Sequence, residues 1–362
     1  MASLAPAQKE DRVIFTAGTI PISVRAVIDA AHFRGEVQAP WKEFLARVGA
    51  AKRADETETE LDDEVVDAAS VAFRYQYDLI TAEETEHWLE ARGVTLGDFS
   101  EYFAREHWVK LFRAKTELTL PPFQDASPEM RELFAAELIF NGQLEAMANR
   151  LAWRLAAHAA AESDVASEEL EAERARFRER NGLAPGEVGA WLASLGRDDD
   201  WLEEALASEA RYRSECEKLL TAQAAEREIG ALRLPLTRFE VETIEFESRD
   251  AASEAVLCVR DDGMSMAEVA TEGRYPYRRT EMVLEEIAED YQQKFLSLTP
   301  GSLLEPIPHE DSFQLSRLLG KTEPDPADPR VRERITQRIL QRHFAELTSK
   351  HIRWEIIPVV TE

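Results

Sequence analysis

The chain has 362 residues, 44% of them hydrophobic, and carries 43 Lys and Arg against 70 Asp and Glu for a net charge of −27. That length accommodates roughly two domains of about 150 residues each, and the acidity excludes a general nucleic-acid or anionic-membrane binder, since both need a basic surface. Two cysteines without CxxC spacing, no apolar run near the ~18 residues of a membrane span, and no basic-then-apolar start predict a cytoplasmic protein with no membrane span.

Residues 11–22, DRVIFTAGTIPI, read as a strand, a glycine turn and an apolar return, after which VRAVIDAAHF begins a helix. Residues 50–67 are rich in Glu, Asp and Thr and read as an exposed connection. From Glu64 the chain is helical and carries an internal duplication, over about residues 64–110 and 168–220. Phe73-Arg74 is followed by Leu79, Glu84, Trp88-Leu89, Gly93 and Phe99. Phe177-Arg178 is followed by Leu183, Glu187, Trp191-Leu192, Gly196 and Leu202, in step after one deletion. Thr81 with Glu84 makes a capping box for a short helix that Gly93 ends, and Pro185 takes the early helical position of the second copy. Trp88 and Trp191 hold the same place beside a helix-ending glycine, which predicts core anchors rather than peptide-binding aromatics. Residues 128–160 read as one long helix and residues 208–229 as another. Cys216, between Glu215 and Glu217, is expected to have a raised thiol pKa and to be unreactive.

Near Leu234-Pro235 the apolar period changes from 3.6 to 2. RFEVETIEFES alternates Phe239, Val241 and Thr243 against Glu240, Glu242 and Ile244, a strand with one charged face. Helices are predicted over 249–260, 264–271 and 282–298. Pro300-Gly301 then turns the chain into a hairpin and a strand over Phe313 to Leu318. Asp328-Pro329 is a helix start, because the Asp oxygen accepts an orphan N–H and proline at the first position loses no bond. Val331, Ile335, Ile339, Phe344 and Leu347 give that closing helix one apolar face, and residues 327–353 hold seven Lys and Arg against three Asp and Glu.

Leu296, Gly301, Pro306-Ile307 and Ser312-Phe313-Gln314-Leu315 carry a resemblance. Their spacing resembles the end of a parvulin-type peptidyl-prolyl isomerase domain, in the arrangement of the SurA- and PrsA-like foldases, closest to the parvulin-related proteins of peptide-maturation systems. The resemblance implies a mostly α-helical α+β fold. It has a helical SurA-like, chaperone-like domain over 1–235, a small degenerate parvulin-like βαααββ domain over 236–322, and a closing helix and strand over 323–362. HIRWEIIPVV, residues 351–360, would then return as a strand beside DRVIF, so that the first domain is built from both chain ends.

At the family's two histidine positions stand Thr243 and Gln314, so no catalytic residue is assigned. The apolar part of the family's groove is implied at Ile287, Tyr291 and Leu296, flanked by Phe313 and Gln314. In place of the family's glycine-rich loop stands RYPYRR, whose Arg274, Tyr275, Tyr277, Arg278 and Arg279 make a candidate binding loop of hot-spot composition, suited to an acidic peptide or to docking on the protein's own acidic helices. The seven histidines show no metal-ligand spacing and no phosphate-binding or nucleophile motif is present, so neither metal nor cofactor is expected. The reading is a cytoplasmic accessory that binds an unfolded or precursor peptide, with modifying enzymes as partners and no nucleic acid or membrane. The alternatives are an active isomerase and a non-catalytic scaffold.

Overall fold

A computed structural model describes residues 9–61, 63–112, 121–309 and 312–356. The fold is α+β and mostly helical, with fifteen α-helices and two small antiparallel sheets among the described residues. The chain divides into two compact units, Met1–Cys216 with His343–Glu362 and Glu217–Arg342.

In the first unit β1 (Val13–Ala17) and β2 (Ile20–Ser23) form a hairpin. Gly18 at φ +60° takes the left-handed first position of its two-residue turn, the position glycine occupies without a Cβ penalty. Ser23 caps α1 (Val24–Phe33), its Oγ accepting from the Ala26 amide at 3.3 Å. The helices that follow are α2 (Gln38–Glu56), α3 (Asp63–Gln76), α4 (Ala82–Arg92), α5 (Leu96–Phe112), α6 (Pro128–Phe140), α7 (Gln143–Ala160), α8 (Ser167–Asn181), α9 (Val188–Leu195) and α10 (Asp199–Leu219). The two stretches read as copies hold α3-α4-α5 and α8-α9-α10. Phe73 meets Trp88 edge-on at 5.2 Å, and Phe177 meets Trp191 edge-on at 5.0 Å. Both tryptophans are buried, and Gly93 and Gly196 both end their helices in the left-handed region. The capping box of Thr81 and Glu84 is complete; in the second copy its carboxylate half remains, Glu187 accepting from the Ala184 amide at 2.8 Å.

Three expectations for this part of the chain change. The acidic stretch 50–67 is not a connection along its whole length, because Ala50 and Ala54 are buried against Trp108 and α2 runs on to Glu56. Residues 128–160 make two helices, since Asn141 accepts from the Gln143 amide and Gly142 at φ +72° turns the chain between them. Residues 208–229 are likewise split, because Thr221 accepts from the Ala224 amide at 3.1 Å and caps a new helix, α11 (Ala222–Leu232).

In the second unit α11 is followed by β3 (Arg238–Phe246), α12 (Arg249–Arg260), α13 (Met266–Gly273), β4 (Tyr277–Val283), α14 (Glu289–Ser297), β5 (Leu303–His309) and β6 (Ser312–Thr322). The strands form one antiparallel sheet in the order β4-β3-β6-β5. β3 is central and covered in part on both faces. Phe239 and Val241 join Leu284, Phe295, Leu304 and Leu318 on one side, while Ile244 and Phe246 join α12, α13 and Leu315 on the other. Ile244 is therefore a core residue, and the charged face of β3 is confined to Glu240 and Glu242. The helix expected over 282–298 is also replaced: Tyr277–Val283 extends along β3 as β4, a 3-10 turn follows at Leu284–Glu286, and only α14 is helical.

Asp328 accepts from the Arg330 amide at 2.8 Å and opens α15 (Pro329–His351). The unit boundary falls within α15, and its apolar stripe is two stripes. Val331, Ile335 and Ile339 pack on Leu232 and Leu236, whereas Phe344 stacks on Trp153 at 5.1 Å within the first unit. Arg338 and Arg342 each reach Glu228, itself 4% exposed, at 2.9 Å. β7 (Ile352–Trp354) pairs antiparallel with β1, with Phe15 opposite Trp354, in the sheet order β2-β1-β7. Residues 357–360 of the stretch expected as a returning strand lie outside the described residues.

Candidate functional site

The site is built on the sheet of the second unit, where strand alternation sorts the side chains of β3 into two rows. Phe239, Val241, Thr243 and Glu245 share one face. On β6 the residues opposite Thr243 and Glu245 are Ser316 and Gln314, and on β5 Ile307 stands opposite Gln314. The Thr243 and Ser316 hydroxyls lie 3.3 Å apart, both buried, so that one donates to the other in the middle of the face. Beyond them Glu245 accepts from Ser312 Oγ and from the Arg278 guanidinium, each at 2.9 Å. This end of the face is polar, with Glu245 cross-linked to β4 and β6.

The other end is apolar. Met282, Ile287, Tyr291, Leu296 and Ile307 are half-buried around the Phe239–Val241 core, which leaves part of each surface to solvent. Lys294 holds its ammonium 5.0 Å from the Tyr291 ring, a cation on the aromatic face. Gln314 stands in the polar end, opposite Glu245 on one side and Ile307 on the other. Such a face can bury an apolar side chain or proline ring against Tyr291 while the Gln314 amide, donor and acceptor at once, serves a peptide group.

Ile287, Tyr291, Leu296, Thr243 and Gln314 are thus brought onto one face. Phe313 is not. It pairs with Phe246 across β3 and packs with α12 and α13 on the opposite side, because adjacent residues of a strand point to opposite faces. The candidate loop 274–279 is not a loop for most of its length. Arg274 ends α13 in the left-handed region at φ 57°, and Tyr275 packs on Phe246 at 4.5 Å. Gly273 is required there, since a Cβ would meet the Tyr275 ring at 2.1 Å. Tyr277, Arg278 and Arg279 belong to β4 and bind the neighbouring strand: Tyr277 donates to Glu242 at 2.8 Å, Arg278 to Glu245, and Arg279 to Glu240. The hydrogen bond to Glu242 holds the Tyr277 hydroxyl above its ordinary range. These basic groups dock on the protein's own acidic strand rather than on its helices.

Sequence reasoning assigned none of Ser316, Glu245, Met282, Ile307 and His309 to the site, although Ile307 helped to carry the resemblance. The exposed His309 imidazole ends β5 two residues beyond Ile307. Their signal is cross-strand register, which local pattern does not contain. Cys216 has its thiol pushed up, first by burial and only last by Glu215. Cys258 is half-buried against the core of α12 and α13. Among the described residues no group of His, Cys, Asp and Glu is placed to hold a metal ion, and no helix is long and apolar enough to cross a membrane.

No protein-family model and no curated protein matches the sequence. The solved structures similar to it include a peptidylprolyl isomerase, PrsA, from Bacillus cereus, at 17% identity with a TM-score of 0.38, covering 59% of this chain and 85% of that one. Another is the foldase PrsA from Streptococcus pneumoniae, at 13% identity and a TM-score of 0.27, covering 58% and 83%. A third is from a study of two SurA-like chaperones of Campylobacter jejuni, at 10% identity and a TM-score of 0.21, covering 59% and 88%.

Proposed function

We propose that this chain is a peptide-binding, chaperone-like protein whose sheet unit holds an unfolded, proline-containing segment without turning it over. The observation that carries the reading is the face of β3 and β6, on which half-buried Ile287, Tyr291, Leu296 and Ile307 adjoin the polar end at Gln314. An extended segment laid there buries an apolar side chain against Tyr291 and meets the amide of Gln314. Burial at about 25 cal/mol per Å² favours the bound state without selecting the twisted amide of a rotating Xaa-Pro bond, whose barrier is ~18–20 kcal/mol. Selective stabilisation of that geometry would need donors aimed at it. The two hydroxyls at the centre of the face are instead turned on each other.

The test is fluorescence anisotropy with a labelled unfolded Xaa-Pro peptide, run beside a protease-coupled isomerisation assay. Wild type should bind, Tyr291→Ala should weaken binding about 5- to 30-fold, as loss of an aromatic anchor worth roughly 1–2 kcal/mol does, and the isomerisation rate should stay at the uncatalysed value. Acceleration that Gln314→Ala or Tyr291→Ala abolishes would establish the active isomerase instead. The finer reading is a leader-bearing precursor peptide held in the cytoplasm beside its modifying enzymes. It rests on the resemblance of the closing stretch, and cell fractionation that recovers the chain outside the cytoplasm would refute that location.

A further inference from the structure

The two edges of the four-stranded sheet differ in a way the peptide-binding face does not explain. β5 ends one edge with the sequence LLEPIPH, whose Pro306 and Pro308 have no N–H to offer a new neighbour. β4 ends the other edge with YRRTEMV, seven residues without proline, and Tyr277 to Glu281 are all exposed. Among the described residues no strand pairs with its outer side, and an edge of this length is a template for another strand. Its side chains decide which strand.

We infer that β4 is a self-association edge, pairing antiparallel with β4 of a second copy of this chain about a two-fold axis through Thr280. A two-fold perpendicular to the sheet keeps each side chain on its own face, so residues that face each other must be an even number of positions apart along the strand. Three registers keep most of β4 paired. Centring on Arg279 sets the arginines of the two copies against each other, and centring on Glu281 does the same to the glutamates, both unfavourable for directly opposed charges. Centring on Thr280 sets Arg279 opposite Glu281 of the second copy, twice by symmetry, with Thr280 opposite Thr280, Arg278 opposite Met282 and Tyr277 opposite Val283. One register is therefore attractive and its two neighbours are repulsive, which is both positive and negative specification by the same two residues. Arg279 already donates to Glu240 in its own sheet, and its five N–H groups suffice for a second carboxylate. The product is one continuous eight-stranded sheet with both Tyr291 faces on the same side. The inference stands whether or not that face binds peptide.

A seven-residue ladder is smaller than a standard interface, so association is weak and visible only at high concentration. The experiment is sedimentation of the full chain up to about 1 mM, the weak end of specific association. Wild type should move from one chain toward two. Glu281→Arg and Arg279→Glu should each abolish the dimer, the double variant Arg279→Glu/Glu281→Arg should restore it, and an equimolar mixture of the two single variants should form the heterodimer. Unchanged far-UV circular dichroism shows that the variants are folded. Hydrogen exchange on wild type needs no variant: amides of 277–283 should gain protection as concentration rises. A wild type that stays a single chain at every concentration overturns the inference, as does a dimer that the charge reversals leave intact.

Discussion

His32 offers a direct test of how the first unit is held together. Its ring is 3% exposed, stacked 5.2 Å from Trp191 and edge-on to Phe123 at 5.1 Å, and neither ring nitrogen has a hydrogen-bond partner. Burial, reinforced by the nearby Arg131 charge, lowers its pKa from 6.5 to about 4. Between those values the unfolded chain binds a proton that the folded chain refuses. Stability is therefore fully present above about pH 6.5 and is lost as pH falls toward 4. The linkage integral for this shift is about 2 kcal/mol at about pH 5 and approaches roughly 3 kcal/mol at lower pH. His32→Phe keeps the aromatic contacts and removes the titration. It should be at least as stable as wild type near neutrality, since two unpaired buried polar atoms are gone, and should gain about 2 kcal/mol on wild type by about pH 5. Urea unfolding followed by tryptophan fluorescence is the assay, and it is selective. All seven tryptophans, at 41, 88, 108, 153, 191, 201 and 354, lie in the first unit. A difference between variant and wild type that stays constant between about pH 7.5 and 5 would refute the reasoning.

Two further outcomes follow from packing. Trp88→Ala and Trp191→Ala should each cost the first unit roughly 3–5 kcal/mol, the range for emptying a buried aromatic site, in the same urea assay; a loss below about 1 kcal/mol with weakened peptide binding would make them binding aromatics after all. Glu228→Ala removes the carboxylate shared by Arg338 and Arg342. Because both arginines remain well exposed, the cost should be limited to roughly 1–3 kcal/mol, read as faster hydrogen exchange of the α11 amides; unchanged exchange would show that the apolar contacts of Val331, Ile335 and Ile339 hold the pair alone.

What was legible in the sequence was local. Thr81, Asp328-Pro329, Gly93 and Gly196 mark their helix ends because a cap is a contact between residues a few positions apart, and the Phe–Trp repeat is legible because each pair lies within one short helical unit. The misread helices failed for the same reason in reverse. Asn141-Gly142 and Leu220-Thr221 sit inside runs of good helix formers, and a break there depends on a single side-chain oxygen competing with the helix for a backbone amide.

The candidate site shows where local pattern stops. Thr243 and Ser316 are 73 residues apart and meet only because β3 and β6 pair in one register. A slip by one residue would exchange Ser316 for a neighbour pointing the other way, so neither sequence window contains the hydroxyl pair. β4 was hidden for a related reason. Met282, Val283 and Leu284 run into the acidic, helix-favouring residues that follow, and local propensity alone assigns the whole stretch to a helix. Pairing with β3 overrides it, since Arg278, Arg279 and Tyr277 each gain a carboxylate of that strand only in the extended form. The acidic residues that made β3 look like a solvated face are thus the partners that recruit β4 to the sheet. In an antiparallel ladder every second residue turns its N–H and C=O away from the partner strand, so the strand that these carboxylates recruit becomes the sheet edge without proline.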